Sequence, residues 1–120
     1  MYQVIKMYGD WEPWWFLEDW QKDIIEERYF EYFEDAFSFY QAEWQSLKNK
    51  LPNVDCHDNL QATFWDKKEK RWCDNCGDYL QQYHSILILK DWQELTEIFP
   101  PSHLDVQIDD SRPRNCKLKS

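Results

Sequence analysis

Two cysteines separated by two residues have a spacing that is typical of metal-binding and thiol–disulfide sites. Cys73 and Cys76 lie in RWCDNCGDYLQQYH, residues 71–84, with a tryptophan directly before the first cysteine and Gly77 directly after the second. In a C-x-x-C-G turn both thiolates can point at one zinc ion, and glycine lets the backbone pass with positive φ. The same cysteine spacing occurs in thiol–disulfide enzymes. It also fits an ordinary turn that contains two reduced cysteines.

A structural zinc ion needs four ligands, and the cysteine pair supplies only part of that set. The combination with the most reasonable chemistry is Cys56, Cys73, Cys76 and His84. Further candidates for the missing ligands are His57, His103 and Cys116. The spacing differs from that of the common zinc fingers, and the sequence has no second C-x-x-C. A small zinc-knuckle protein is therefore an alternative prediction, and zinc is the only cofactor that the sequence brings into consideration.

A redox role for the cysteine pair is the weaker alternative. Asp74 and Asp78 place negative charge beside the thiols, which disfavours the reactive thiolate. Gly77 is a poor residue for the first turn of a helix, where thioredoxin-like enzymes hold their first thiol. In a reducing compartment the cysteines of this chain are expected to be thiols or metal ligands rather than structural bridges.

A second stretch, DWEPWWFLEDW at residues 10–20, concentrates tryptophan and negative charge. The predicted interaction surface consists of Trp11, Trp14, Trp15, Glu18, Asp19 and Trp20. Exposed aromatic rings surrounded by carboxylates suit a basic or aromatic segment of a partner protein. The alternative is that Trp14 and Phe16 belong to the core while the other tryptophans shield its edge. The leading functional prediction is a non-catalytic protein-interaction module whose partner is an unknown protein.

Charge argues against several other classes of partner. The chain has 23 acidic and 14 basic residues, a formal net charge of −9. Ten of the acids lie between Asp10 and Asp35, where the only basic residues are Lys22 and Arg28. Such a segment repels a phosphate backbone, and the few basic residues near the C-terminus make a weak footprint, so no nucleic-acid partner is expected. The longest aliphatic run, residues 86–89, is too short to span a bilayer, so no membrane partner is expected either.

Catalytic motifs are missing from the sequence. It shows no Ser, His and Asp order, no phosphate-binding loop and no dinucleotide fingerprint. Adjacent acids such as Glu18 and Asp19 are more typical of a solvated surface than of acid–base catalysis. The sequence therefore predicts no catalytic residue. Because the first residues contain no apolar signal segment, a cytoplasmic location is expected.

One long helix is the clearest structural prediction. Large apolar side chains recur at spacings of three and four residues: Phe33, Phe37, Tyr40, Trp44, Leu47 and Leu51. This spacing places them on one stripe of an amphipathic helix of about five turns. Pro52 and Asn53 follow the stripe and predict its end.

Several segments are predicted as strands. Residues 2–8 and 83–90 have the alternating or continuous apolar character of strands, the latter covered on both faces. Residues 12–17 are predicted as an edge strand or an extended loop because of Pro13. Ile24 to Phe30 is compatible with either strand or helix. Residues 62–65 and 71–73 flank the polar run DKKEK, which predicts a hairpin.

The order of these elements predicts an α+β fold: a single antiparallel or mixed sheet with the long amphipathic helix packed on one face. Residues 1–99 are expected to form this one domain. Residues 100–120 are polar, contain proline and lack periodicity, so a disordered, flexible C-terminal tail is expected there.

The segments YQVIKMYGDWEPWWFLEDW and RWCDNCGDYLQQYH resemble a family of short bacterial proteins catalogued as domain of unknown function one thousand and thirty-three. The likeness covers residues 1–92. It implies a small cytoplasmic protein with no established activity, so it transfers no catalytic residue. It also implies a competence-related context, since genes of such proteins can lie beside those of a DNA-uptake pilus.

Overall fold

The computed structural model describes residues 1–96. These residues form β1 Tyr2–Gly9, β2 Ile24–Phe30, α1 Phe33–Lys50, β3 Asn53–His57, β4 Gln61–Trp65, β5 Lys70–Cys73, β6 Asp78–Gln81, β7 Tyr83–Lys90 and β8 Gln93–Glu94. Two 3₁₀ turns, Pro13–Trp15 and Trp20–Asp23, lie between β1 and β2. The tail predicted at residues 100–120 and the predicted domain boundary at residue 99 lie outside the described residues.

The main sheet has the strand order β2-β1-β7-β4-β3, and β8 pairs with the end of β7. All of its strand pairs are antiparallel. The central strand β7 is buried on both faces over residues 85–89, as its continuous apolar run predicts. The α+β prediction is confirmed, and so is the strand alternative for Ile24–Phe30.

The helix α1 covers one face of this sheet. Its buried residues are Ala36, Tyr40 and Trp44, all on the predicted apolar stripe or next to it. They share one core cluster with Val4, Phe64, Ile86 and Ile88 of the sheet. The indole of Trp44 meets the ring of Phe64 edge-on, with centroids 5.6 Å apart. Acidic residues in the first turn and lysines in the last turn match the helix dipole, so charge and burial favour the same helix.

The opposite face of the sheet is covered by the chain between β1 and β2. Ile5, Met7, Leu87 and Leu89 form a second core cluster, against which Phe16, Trp20 and Ile24 pack. Of the two alternatives predicted for residues 12–17, an edge strand or an extended loop, the edge strand is wrong, because Pro13–Trp15 forms a 3₁₀ turn. Proline suits the first position of such a turn, since its missing N–H has no helical partner there. Residues 10–23, which we call the lid segment, therefore cover the second core.

The predicted hairpin of residues 62–65 with 71–73 is also wrong. Strand β4 lies between β3 and β7 in the main sheet, whereas β5 pairs with β6 in a separate two-stranded sheet. Four of the five β4 residues are buried, but β5 is mostly exposed, so the two strands belong to different environments. The run DKKEK is the connection between the sheets. We call β5, β6 and their turn, Lys70–Gln81, the cysteine hairpin.

Candidate functional site

The six predicted surface residues differ strongly in exposure. Trp11 and Trp15 are 51% and 55% exposed, and Leu17 beside them is also exposed. Glu18 and Asp19 are exposed, while Trp14 and Trp20 are partly buried. We call the six residues Trp11, Trp14, Trp15, Glu18, Asp19 and Trp20 the acidic tryptophan surface. Within it, two indoles face solvent and two anchor the segment to the protein.

The side chains of Trp15 and Phe16 point in opposite directions: the Trp15 indole faces solvent, and the Phe16 ring faces the protein. Phe16 has φ of 45° and a left-handed conformation, which is uncommon for a bulky side chain. Its ring lies edge-on to Trp20 at 5.0 Å and packs on the second core. The indole N–H of Trp15 donates to Glu12 Oε1 at 3.0 Å. The hydrogen bond to Glu12 and the inward packing of Phe16 therefore both favour an outward orientation of the Trp15 indole.

Trp14 anchors the segment at its other end. Its indole stacks on the imidazole of His57 at the end of β3, with centroids 3.8 Å apart and planes 11° apart. The alternative interpretation assigns Trp14 and Phe16 to the core, and both rings pack against the protein. Of the three tryptophans that it assigns to the core edge, Trp20 packs on the second core, whereas Trp11 and Trp15 face solvent.

Negative charge dominates the cleft beside these indoles. The lining of the cleft includes Trp11, Glu12, Trp15, Leu17, Trp20 and Asp23. Lys22 also lines it and forms an exposed ion pair with Asp19 at 3.0 Å. Burial, together with the carboxylates of Asp10 and Asp19, raises the pKa of Asp23 above its usual value. A positive charge placed beside these carboxylates would reduce their mutual repulsion.

Asp10 connects the acidic tryptophan surface to the cysteine hairpin. Arg71 Nε donates to Asp10 Oδ1 at 2.9 Å, and Arg71 Nη2 pairs with Oδ2 of the same carboxylate. Gln82 Nε2 donates to Asp10 Oδ1 at 2.7 Å. The guanidinium of Arg71 is the main cause of the lowered pKa of Asp10. The base of the hairpin is thus held by charge-assisted hydrogen bonds to the residue that follows β1.

The cysteine pair closes the turn of the hairpin. Cys73 and Cys76 are joined by a disulfide, with their Cα atoms 5.3 Å apart. The expectation that they are thiols or metal ligands is therefore corrected, because the turn holds the two Cα atoms within the usual disulfide range. Gly77 has φ of +66° and donates its N–H to the carbonyl of Cys73 at 2.8 Å. Glycine is favoured there because its left-handed conformation costs little.

The four residues of the predicted zinc site lie in three different places. Cys56 is buried in the core between helix and sheet, and His84 Nε2 hydrogen-bonds Glu69 Oε1 at 2.8 Å. Only Cys73 and Cys76 are brought together. Among residues 1–96 there is no group of three or more His, Cys, Asp or Glu side chains that could hold a metal ion. Because Cys73 and Cys76 are bonded to each other, zinc binding stays a prediction that applies to the reduced cysteine pair.

A carboxylate that sequence reasoning missed links the sheet to the loop before β5. Glu69 Oε2 accepts a hydrogen bond from Tyr8 Oη at 2.9 Å, and its other oxygen meets His84. The Tyr8 and His84 rings are cross-strand neighbours with centroids 4.7 Å apart. Burial, followed by the hydrogen bond to Glu69, raises the pKa of Tyr8. No local sequence signal relates these three residues, since they come from separate segments.

Within residues 1–96, the fold and its two surface features define a small α+β protein in which one helix covers an antiparallel sheet and the cysteine hairpin forms a separate two-stranded sheet. Residues 1–118 match the family model described as protein of unknown function DUF1033, so the chain belongs to that family. No curated protein and no solved structure matches it. Within residues 1–96, no helix combines the length and the apolar content that crossing a bilayer requires.

Proposed function

We propose that this protein is a non-catalytic interaction module whose acidic tryptophan surface binds a basic segment of another protein. The observation that carries the proposal is the exposure of Trp11 and Trp15 in a segment whose other aromatic rings are packed. Tryptophan is the residue type most often found at the energetic centres of interfaces. Two outward indoles held beside one cleft therefore favour recognition over a purely structural role.

The chemistry of the cleft selects the kind of partner. Lysine and arginine side chains are attracted to the faces of indole rings, and Trp gives the strongest such contact. The carboxylates of Glu18, Asp19 and Asp23 lie in the same segment and complement a positive charge. Because Glu12 already holds the Trp15 indole, less side-chain freedom is lost on binding.

The proposal includes the setting in which the partner is met. We propose a cytoplasmic location and a bacterial, competence-related context, as the family resemblance implies. The net charge of −9 disfavours nucleic acids and anionic membranes as partners. A protein segment rich in Lys and Arg has the opposite charge and complements the acidic tryptophan surface.

A titration with defined peptides tests the proposal. The full chain is titrated with a basic peptide and with an acidic peptide of equal length, and binding is followed by tryptophan fluorescence. The double variant Trp11→Ala/Trp15→Ala is expected to lose about tenfold or more in affinity for the basic peptide, which corresponds to about 1.4 kcal/mol. Affinity is also expected to fall as salt is added, because exposed charges are screened.

Trp72→Ala is the matched control. Trp72 is also about half exposed but lies on the cysteine hairpin, so its replacement is expected to leave the affinity unchanged. Far-UV circular dichroism establishes that each variant is folded. Unchanged affinity in a folded Trp11→Ala/Trp15→Ala protein, or equal binding of the acidic peptide, contradicts the proposal.

A further inference from the structure

The disulfide of the cysteine hairpin contributes little to holding the protein together. Cys73 and Cys76 belong to neither hydrophobic core of residues 1–96. The bond closes a loop with a sequence separation of 3, and cross-links over short loops constrain the unfolded chain least. The turn is closed independently by the hydrogen bond from Gly77 to the carbonyl of Cys73. A purely structural role therefore leaves the cysteine pair unexplained.

The two sulfurs of the pair are not equivalent. Cys76 is exposed, whereas Cys73 is partly buried. The backbone N–H of Cys76 donates to Cys73 Sγ at 3.2 Å. A hydrogen bond of this kind stabilises negative charge on the sulfur that accepts it. Cys76 is thus the sulfur that a nucleophile can reach, and Cys73 is the sulfur that can leave as a thiolate.

We propose that the tip of the cysteine hairpin is a thiol–disulfide exchange site that oxidises a dithiol. A thiolate of the dithiol attacks Cys76 Sγ, the bond between Cys76 and Cys73 breaks, and Cys73 leaves as a thiolate. The second thiolate of the dithiol then attacks its own sulfur in the mixed disulfide and releases Cys76. The dithiol loses two electrons and becomes a disulfide, the hairpin gains them, and the two protons of the dithiol pass to the cysteine thiolates.

The carboxylates beside the pair are already engaged in hydrogen bonds. Asp74 Oδ1 accepts the indole N–H of Trp72 at 2.6 Å, and Asp78 Oδ1 accepts the backbone N–H of Tyr79 at 2.7 Å. These hydrogen bonds partly offset the negative charge of the two carboxylates, which disfavours a neighbouring thiolate. Trp72 and Tyr79 are 50% and 61% exposed and meet edge-on at 5.0 Å. They form an exposed aromatic pair on the same hairpin as the cysteines.

The reaction can occur without unfolding the rest of the chain. The hairpin is held at its base by Asp10, through Arg71 and Gln82, and these contacts do not involve the sulfurs. Disulfides that occur in reducing compartments are usually transient and catalytic or redox-sensing. A disulfide with one exposed cysteine is suited to such a cycle, because the Cys73–Cys76 bond lies outside both cores.

Redox titration of the full chain is the first test. The protein is equilibrated with mixtures of reduced and oxidised dithiothreitol, and free thiols are alkylated. Mass spectrometry of the peptide containing Cys73 and Cys76 then measures the fraction reduced. We expect conversion between disulfide and dithiol while the melting temperature changes by less than about 4 °C, the shift that about 1 kcal/mol produces in a domain of this size. Reduction that occurs only with unfolding, or tight zinc binding by the reduced pair, overturns the proposal.

The direction of attack is the second test. The oxidised chain is mixed with reduced glutathione and quenched in acid, and the mixed disulfide is located by fragmentation. Glutathione is expected on Cys76, and its location on Cys73 overturns the assignment. In the single variants, Cys73 in Cys76→Ser is expected to react with iodoacetamide at pH 7 about threefold or more faster than Cys76 in Cys73→Ser, because only Cys73 accepts the backbone N–H. Equal rates also overturn it.

The source of the dithiol is decided by comparing reductants. Faster reduction by a thioredoxin-type protein than by dithiothreitol at equal concentration identifies a protein dithiol, whereas equal rates identify a small thiol, and both support exchange. Reduction by neither overturns the proposal. The outcome is independent of the peptide-binding test, since Trp11 and Trp15 lie on a different segment.

Discussion

The indole of Trp14 lies flat on the imidazole of His57, with ring centroids 3.8 Å apart and planes 11° apart. This contact joins the lid segment between β1 and β2 to β3, a strand at the edge of the main sheet. It lies directly before Trp15, whose indole faces solvent. The stack therefore fixes the segment directly before the exposed indole of Trp15.

Replacement of His57 tests the importance of this stack. His57→Ala is expected to lower the free energy of unfolding by about 1 kcal/mol, the typical value of an aromatic pair, and to increase amide hydrogen exchange at residues 11–17. His57→Phe preserves a flat ring and is the matched control, with exchange close to that of the wild type. Equal exchange in the His57→Ala and His57→Phe proteins would mean that the stack does not hold the lid.

Trp44 provides the strongest prediction about stability. Its side chain is fully buried at the centre of α1 and contacts Phe64 of the sheet. Trp44→Ala is expected to cost about 3 to 5 kcal/mol, because a large cavity replaces the indole. Chemical denaturation measures the change. Ser38→Ala, at an exposed position of the same helix, is the control and is expected to stay within about 0.5 kcal/mol of the wild type.

The ion pair between Asp10 and Arg71 predicts a pH dependence. The pKa of Asp10 is lowered below its usual value of 3.8, mainly by Arg71. The contribution of this carboxylate is therefore fully present above pH 3.8 and is lost as the pH falls through the folded-state pKa. The Asp10→Asn protein is expected to have a lower melting temperature than the wild type at pH 7. This difference in melting temperature is expected to narrow as the pH falls below 3.8.

Melting curves recorded from pH 7 down to pH 3 check the expectation. Glu18→Gln removes one negative charge at an exposed position of the lid segment and controls for the change in net charge. If the Asp10→Asn difference keeps the same size at every pH, the carboxylate does not contribute through its ionised form. Because Arg71 is exposed, part of the effect at pH 7 is expected to disappear at high salt.

The pairing of the β-strands could not be predicted from the sequence. Ile24–Phe30 carries a charged centre that fits helix as well as strand, and its pairing with β1 decides for strand. Residues 62–65 and 71–73 are neighbours along the chain, so a hairpin was the local expectation. The apolar side chains of β4 are instead buried between β3 and β7. Strand pairing depends on partners far away in the sequence, and a local pattern does not contain them.

Local patterns are sufficient to predict the helix, the central strand and the turn at Cys73 and Cys76, because each rests on local periodicity, a local breaker or a glycine with positive φ. Which tryptophans face solvent depends instead on contacts between distant parts of the chain. Trp14 stacks on His57, and Phe16 and Trp20 pack on the second core, whereas Trp11 and Trp15 remain exposed to solvent. The physical reason is that burial is a property of the assembled chain: four similar indoles in one short segment compete for a limited apolar surface.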